Sequence, residues 1–136
     1  MRRAAIVCPV RTGVGTFGGS LRSVPVEELA ATVIRALLDR TGLDPGRIGD
    51  VVMAQSYANG ETPCVGRWAA LQAGLPVEVP GMQLDRRCGG GLQAVITASM
   101  MVQMRLARLR LPPSQGATGW VRETGESMDV PEVRNN

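Results

Sequence analysis

From residue 92 to residue 104 the chain carries no charged side chain, and the polar ones, Gln93, Thr97, Ser99 and Gln103, fall on more than one side of a helix. A helix of that composition offers no face suited to water and needs cover nearly all round. Such cover comes from a layered structure with protein above and below the helix. Three layers bury it poorly, so the run also points to a chain that is part of something larger.

The preceding residues supply the layers. "AAIVCPV" at residues 4–10 reads as a short apolar strand covered on both faces. A glycine-rich loop over residues 11–23 leads to Pro25, which suits the start of a helix, with Glu27 and Glu28 complementing the N-terminal dipole. Leu29, Val33 and Leu37, and likewise Ala30, Ile34 and Leu38, recur every four residues and define an apolar face ending at Thr41-Gly42. After the turn "LDPGRIGD" a second strand is expected over residues 51–55, then a polar loop over 56–62. A second helix is expected over about residues 63–73, closed by Gly74. A third strand is expected over residues 77–84, in which Gly81 marks a bulge or a close backbone approach. The uncharged third helix follows, reaching about Met104. Repeated strand and helix units imply an α/β fold with a mainly parallel sheet and helices on both faces. Sites in such sheets gather beyond the carboxyl ends of the strands.

Composition narrows the class. A chain of 136 residues has the length of one domain; 44% of its residues are hydrophobic and 20% charged, as in globular proteins. Aromatics are 3%, so the core is built from Ala, Val, Leu, Ile and Met. The net charge of +3 is carried by scattered arginines without interleaved aromatics, which excludes a nucleic-acid surface. Cys8, Cys64 and Cys88 form an odd set without C-x-x-C spacing, and there is no histidine, so neither a zinc site nor a disulfide framework is expected. A reducing, cytoplasmic setting follows. No apolar run approaches membrane-spanning length, so no membrane partner is expected.

Two stretches could carry chemistry. "GVGTFG", with Gly13, Gly15 and Gly18, has the spacing of the dinucleotide fingerprint and follows a strand. That motif needs its helix to open within the glycines, whereas residues 20–24 intervene before Pro25, and the nearest acidic candidate, Asp39, falls inside the first helix. The stretch therefore reads as a loop needing positive φ or close packing, with a nucleotide-binding module as the alternative. "DRRCGGGLQAVITASMM" places Cys88 at the start of the third helix. Unpaired amides and the macrodipole there favour a thiolate, and Arg86 and Arg87 add positive potential. Gly89, Gly90 and Gly91 leave the backbone uncovered, so that an acyl group can approach and an oxyanion can reach the Cys88 amide. Cys8, within a strand, and Cys64, at a helix start without glycines, read as structural.

"RTGVGTFGGSL" at residues 11–21, "YANGETPCVGRW" at 57–68 and "AALQAGLPVEVPGMQLDRRCGGGLQAV" at 69–95 together resemble the N-terminal portion of thiolases, the acetyl-CoA acetyltransferase and 3-ketoacyl-CoA thiolase group. The likeness runs from about residue 3 to residue 103, with proline usual in the family where Gly13 stands. The resemblance implies the layered thiolase fold with a buried nucleophile helix at its centre. It implies that Cys88 attacks an acyl-CoA thioester to give an acyl-enzyme, with the Cys88 amide in an oxyanion hole, before Claisen condensation or thiolysis. Coenzyme A thioesters enter as substrates and no bound cofactor is implied; family members assemble as dimers or tetramers.

The departures are equally specific. The family's later segments carry an Asn-containing oxyanion element, a Gly-His-Pro histidine and a second cysteine acting as acid and base, and this chain has no histidine. Residues 1–103 therefore read as an incomplete thiolase-like N-terminal domain and residues 104–136 as a divergent, irregular tail. Gly125-Glu126-Ser127-Met128 alone resembles the family's next segment, displaced by an arginine- and proline-rich insert, as a shifted reading frame or a degenerate gene would produce. The expectation is a truncated, inactive acyltransferase, with a non-catalytic half that pairs with another subunit as a further alternative.

Overall fold

The structure is a computed structural model that describes residues 4–108. In order these form α1 (Val26–Thr41), a 3-10 turn (Pro45–Arg47), β1 (Val51–Ala54), α2 (Val65–Gln72), β2 (Gly81–Leu84), a second 3-10 turn (Arg87–Gly89) and α3 (Gly90–Arg108). The fold is α/β. The described residues divide into two units, residues 8–98 and a second that includes residues 4–7 and 99–108. The divergent tail lies outside the described residues beyond 108. Among the described residues no helix is long and apolar enough to cross a membrane.

α1 follows its apolar spacing. Pro25 stands at its N-cap, Glu27 and Glu28 occupy the first turn, and Gly42 ends it in the left-handed region at φ 62°. Its inward residues Ala31 and Ile34 are buried, and the helix packs against α2. β1 and β2 pair in parallel with Val51 opposite Gly81 and Ala54 opposite Leu84, and α2 is the crossover between them. Ile34, Val51, Ala69, Ala70, Leu75 and Val79 form one core, with Met53 packed against it.

Two glycines set how closely α2 lies on the sheet. A Cβ at Gly66 would fall 2.3 Å from the Met82 carbonyl oxygen, and one at Gly81 would fall 2.5 Å from the Arg67 backbone nitrogen. Gly81 is thus a close backbone approach rather than a bulge. Val51 and Met53 face the α2 core, so the strand alternation turns Ala54 to the opposite face. A Cβ at Gly90 would stand 3.0 Å from the Ala54 Cβ, which puts the start of α3 on that second face. α2 therefore covers one face of the parallel sheet, and the first residue of α3 touches the other at Ala54.

Three expectations need correction. Residues 4–10 form no strand: Cys8 has φ 51°, which breaks an extended run in its middle, and Pro9 removes a ladder donor. Ile6 is 76% exposed. β2 begins at Gly81 rather than Val77, because the Arg67 guanidinium donates to the Val77 carbonyl at 3.0 Å and the Val79 carbonyl at 2.5 Å. Those carbonyls are then no longer free for a ladder, and Val79 turns back to Pro76. Finally, α3, expected to be a nucleophile helix buried nearly all round, is not so buried. Ala94 is buried on the side of Gly90, whereas Leu92 is 68% exposed, and Val95, Ile96, Met100 and Met104 are also exposed. Two strands give α3 one surface to rest on, and the helix carries apolar residues on more than one.

Candidate active site

The last rung of the ladder is the Gln55 amide donating to the Leu84 carbonyl at 3.1 Å, beyond which both strands enter loops. The β2 loop leads directly to Cys88. Asp85 accepts the Arg87 N–H through Oδ1 at 2.8 Å, an Asx-type turn, and its other carboxylate oxygen pairs with the Arg87 guanidinium. Arg87 adopts φ 46°, in the left-handed region. The Gly89 N–H then donates to the Arg86 carbonyl at 3.0 Å, and the Gly90 N–H to the Arg87 carbonyl, closing the 3-10 turn.

This turn leaves one donor over. The amides of Arg87, Gly89 and Gly90 are all engaged, and among the described residues the Cys88 N–H makes no hydrogen bond. Cys88 itself is exposed. A Cβ added at Gly91 would meet nothing within 4 Å, and one at Gly89 only the aliphatic stem of Arg86, so the backbone around Cys88 is open on both flanks. Gly90 differs, being buried against Ala54. Of the three glycines, then, two keep space free and one permits helix and sheet to touch.

The arginines are not free charges beside the thiol. Arg86 donates to Gln93 Oε1 one helical turn along α3, and Arg87 is paired with Asp85 and lies with its guanidinium carbon 4.5 Å from the centroid of the Tyr57 ring. Tyr57 also has a left-handed backbone, at φ 58°. Its loop is anchored at Thr62, which is almost fully buried; its hydroxyl donates to Glu27 Oε2 at 2.8 Å and its backbone N–H donates to Asn59 Oδ1 at 2.7 Å.

The other candidates stand elsewhere. Cys64 occupies the N-cap position of α2, its Sγ donating to the Gly81 carbonyl at 3.5 Å, and the adjacent Val65 N–H donates to Gln83 Oε1 at 2.8 Å. Cys8 is half-buried in irregular chain. Gly13, Gly15 and Gly18 lie in a loop that continues through turns at Thr16–Gly19 and Gly19–Arg22, with Gly18 at φ 69°, and α1 opens only at Val26. Among the described residues no group of three or more His, Cys, Asp or Glu side chains is placed to hold a metal.

Cys88 thus lies in a turn just beyond the carboxyl end of a parallel strand. A family model described as thiolase, N-terminal domain, matches residues 4–111. The chain belongs to the thiolase family. Within that family, the acetyl-CoA acetyltransferase of Pseudomonas aeruginosa is 47% identical over 95 residues, 70% of this chain and 24% of that protein. The enzyme of the same name from Cupriavidus necator is 44% identical over 99 residues, 73% of this chain and 25% of that one. The crystal structure of the Bacillus anthracis acetyl-CoA acetyltransferase superposes with a TM-score of 0.64 at 36% identity, covering 66% of this chain and 23% of that one. The chain spans about a quarter of the length of these thiolase relatives.

Cys88 and Gly89 to Gly91 are legible in the sequence, whereas the placing of Tyr57, Asp85, Thr62 and Gln83 around the turn and its neighbouring loop appears only in the fold. Asp85 had a local signal, since an aspartate two residues before a turn amide is a common Asx arrangement. Tyr57 had none beyond being the lone tyrosine in a loop that follows a strand.

Proposed function

We propose that these residues form the nucleophile half of a thiolase acyl-transfer site, with Cys88 as the nucleophile and an acyl-CoA as acyl donor. The observation that carries this reading is the exposed Cys88 whose own amide is the unengaged donor of its turn. The Cys88 thiolate attacks the thioester carbonyl, forming a new S–C bond, and the carbonyl electrons move to oxygen. The Cys88 N–H donates to that oxyanion. Collapse expels coenzyme A thiolate, which takes a proton, and leaves Cys88 as a thioester. Gly89 and Gly91 leave room for the acyl group.

Completing a cycle requires more. Claisen condensation needs a base to remove a proton from a second acyl-CoA, and thiolysis needs one to deprotonate free coenzyme A. The 136 residues contain no histidine, and a positioned base contributes roughly two to four orders of magnitude in rate. Residues 1–103 therefore act as an incomplete thiolase-like N-terminal domain, and this chain by itself acylates without turning over. A cytoplasmic setting suits three unpaired cysteines.

The test is to incubate the chain with acetyl-CoA and map acetylation by mass spectrometry, with steady-state turnover measured alongside. The expected result is an adduct on Cys88, absent from Cys88→Ser, and no sustained formation of acetoacetyl-CoA. Modification of Cys8 or Cys64 instead, or no adduct at all, overturns the assignment.

A further inference from the structure

We propose that Tyr57 is a positioning residue for Cys88, acting through Arg87; this rests on the reading of Cys88 as the nucleophile. The sheet register makes the pairing a consequence of topology. Ala54 and Leu84 are opposite one another at the end of the ladder, and Tyr57 and Arg87 each lie three residues beyond, in adjacent loops. Both adopt left-handed backbone, φ 58° and 46°, which is uncommon and unfavourable for residues other than glycine. Such outliers persist only where surrounding contacts hold them, and they gather at functional sites.

Stability alone accounts poorly for the arrangement. Tyr57 is 80% exposed, so it gains little from burial, and its ring lies under the Arg87 guanidinium, whose carbon is 4.5 Å from the ring centroid. Arg87 is held a second time by Asp85, through the guanidinium and through its own amide. These contacts grip the residue whose carbonyl carbon is bonded to the Cys88 nitrogen. Rotation about the Arg87 backbone dihedrals swings the Arg87–Cys88 peptide, and with it the N–H assigned to the oxyanion. Relaxation of Arg87 into an ordinary conformation turns that donor away, while the thiol stays accessible. The Tyr57 ring and Asp85 thus prevent a motion that would disable acylation without hiding the cysteine.

That distinction gives the test. Acetylation by acetyl-CoA needs the oriented amide, whereas alkylation by iodoacetamide, a displacement at saturated carbon, develops no oxyanion and needs only the thiolate. In the 136-residue chain, Tyr57→Ala is expected to slow single-turnover acetylation of Cys88 at saturating acetyl-CoA by about tenfold. Half-saturation by acetyl-CoA and the iodoacetamide rate are expected to stay within about twofold, a change worth less than 0.5 kcal/mol. Tyr57→Phe keeps the ring face and restores parental acetylation. Asp85→Ala, which loosens Arg87 from the other side, shows the same selective loss. Parental acetylation rates in Tyr57→Ala, a parallel fall of both reactions, or a Tyr57→Phe as slow as Tyr57→Ala would each overturn the positioning role while leaving Cys88 as the nucleophile. Absence of acetylation in the parent removes the nucleophile assignment and the positioning role together.

Discussion

Replacing Gly81 by alanine tests the packing that holds the whole site. Gly81 opens β2 opposite Val51, and a Cβ there would lie 2.5 Å from the Arg67 nitrogen and 2.6 Å from both the Arg67 Cα and the Gly66 carbonyl carbon. All three are backbone atoms of α2, so no rotamer change relieves the overlap. Normal contacts between carbon atoms sit at about 3.5–4.0 Å, and α2 must therefore retreat from the sheet by about 1 Å. A gap of that size forfeits roughly a quarter to a half of each dispersion contact across it. The layer being lifted carries Ala69 and Ala70, both fully buried in the core. Overpacking costs about 1–3 kcal/mol, and a clash confined to backbone belongs at the upper end, near 3 kcal/mol of a total that is typically about 5–15. At about 4 °C per kcal/mol for a domain of this size, the midpoint falls by about 12 °C. Thermal and urea unfolding followed by circular dichroism measure both numbers. Gly91→Ala is the control, because its Cβ meets nothing within 4 Å and it lies in the first turn of α3; it is expected to be neutral or stabilising by up to about 1 kcal/mol. A Gly81→Ala chain within about 0.5 kcal/mol of the parent would refute the close approach of α2 to the sheet.

Other perturbations follow from single contacts. Thr62→Val keeps the shape but leaves Glu27 Oε2 without its donor, and is expected to cost about 1.5 kcal/mol in urea unfolding, whereas Thr62→Ser keeps most of it. Gly42→Ala forces a side chain into the left-handed region at φ 62° and is expected to lower stability by about 1 kcal/mol, with Gly42→Asn closer to the parent. Leu92→Glu and Ile96→Glu on the open side of α3 are expected to reduce light scattering on concentration while changing unfolding by less than about 0.5 kcal/mol. A large loss of stability in either would mean that this side is covered.

Local rules were readable where one element decides its own structure. The four-residue recurrence of Leu29, Val33 and Leu37 and the stop at Gly42 place α1, and the apolar run at Val51 places β1. Residues 4–10 carry an equally apolar run, yet composition does not encode whether a neighbouring strand is present or whether Cys8 turns left-handed. The truncated start of β2 has a similar origin, since Arg67, ten and twelve residues earlier in the chain, captures the carbonyls of Val77 and Val79. α3 shows the complementary case. Its lack of charge reports the environment a helix is suited to, and the two-stranded sheet described here supplies that environment on one side only.

The site divides along the same line. Cys88 and its glycines are contiguous, so the turn that exposes a thiol and spares an amide can be read from one stretch of residues. The Tyr57 contact depends instead on Ala54 standing opposite Leu84, a register fixed by how α2 is laid across the sheet. One rung of slippage would move Tyr57 out of line with Arg87, since each strand residue advances the chain by about 3.3 Å. Gly66 and Gly81 hold that register from the α2 side, through contacts that tolerate no added atom. Glycines on the far face of the sheet from α3 thereby govern which aromatic ring meets the arginine beside Cys88. Gly81→Ala should consequently weaken the Tyr57 to Arg87 contact as well as the core, and slow Cys88 acetylation more than iodoacetamide alkylation at temperatures where the variant remains folded.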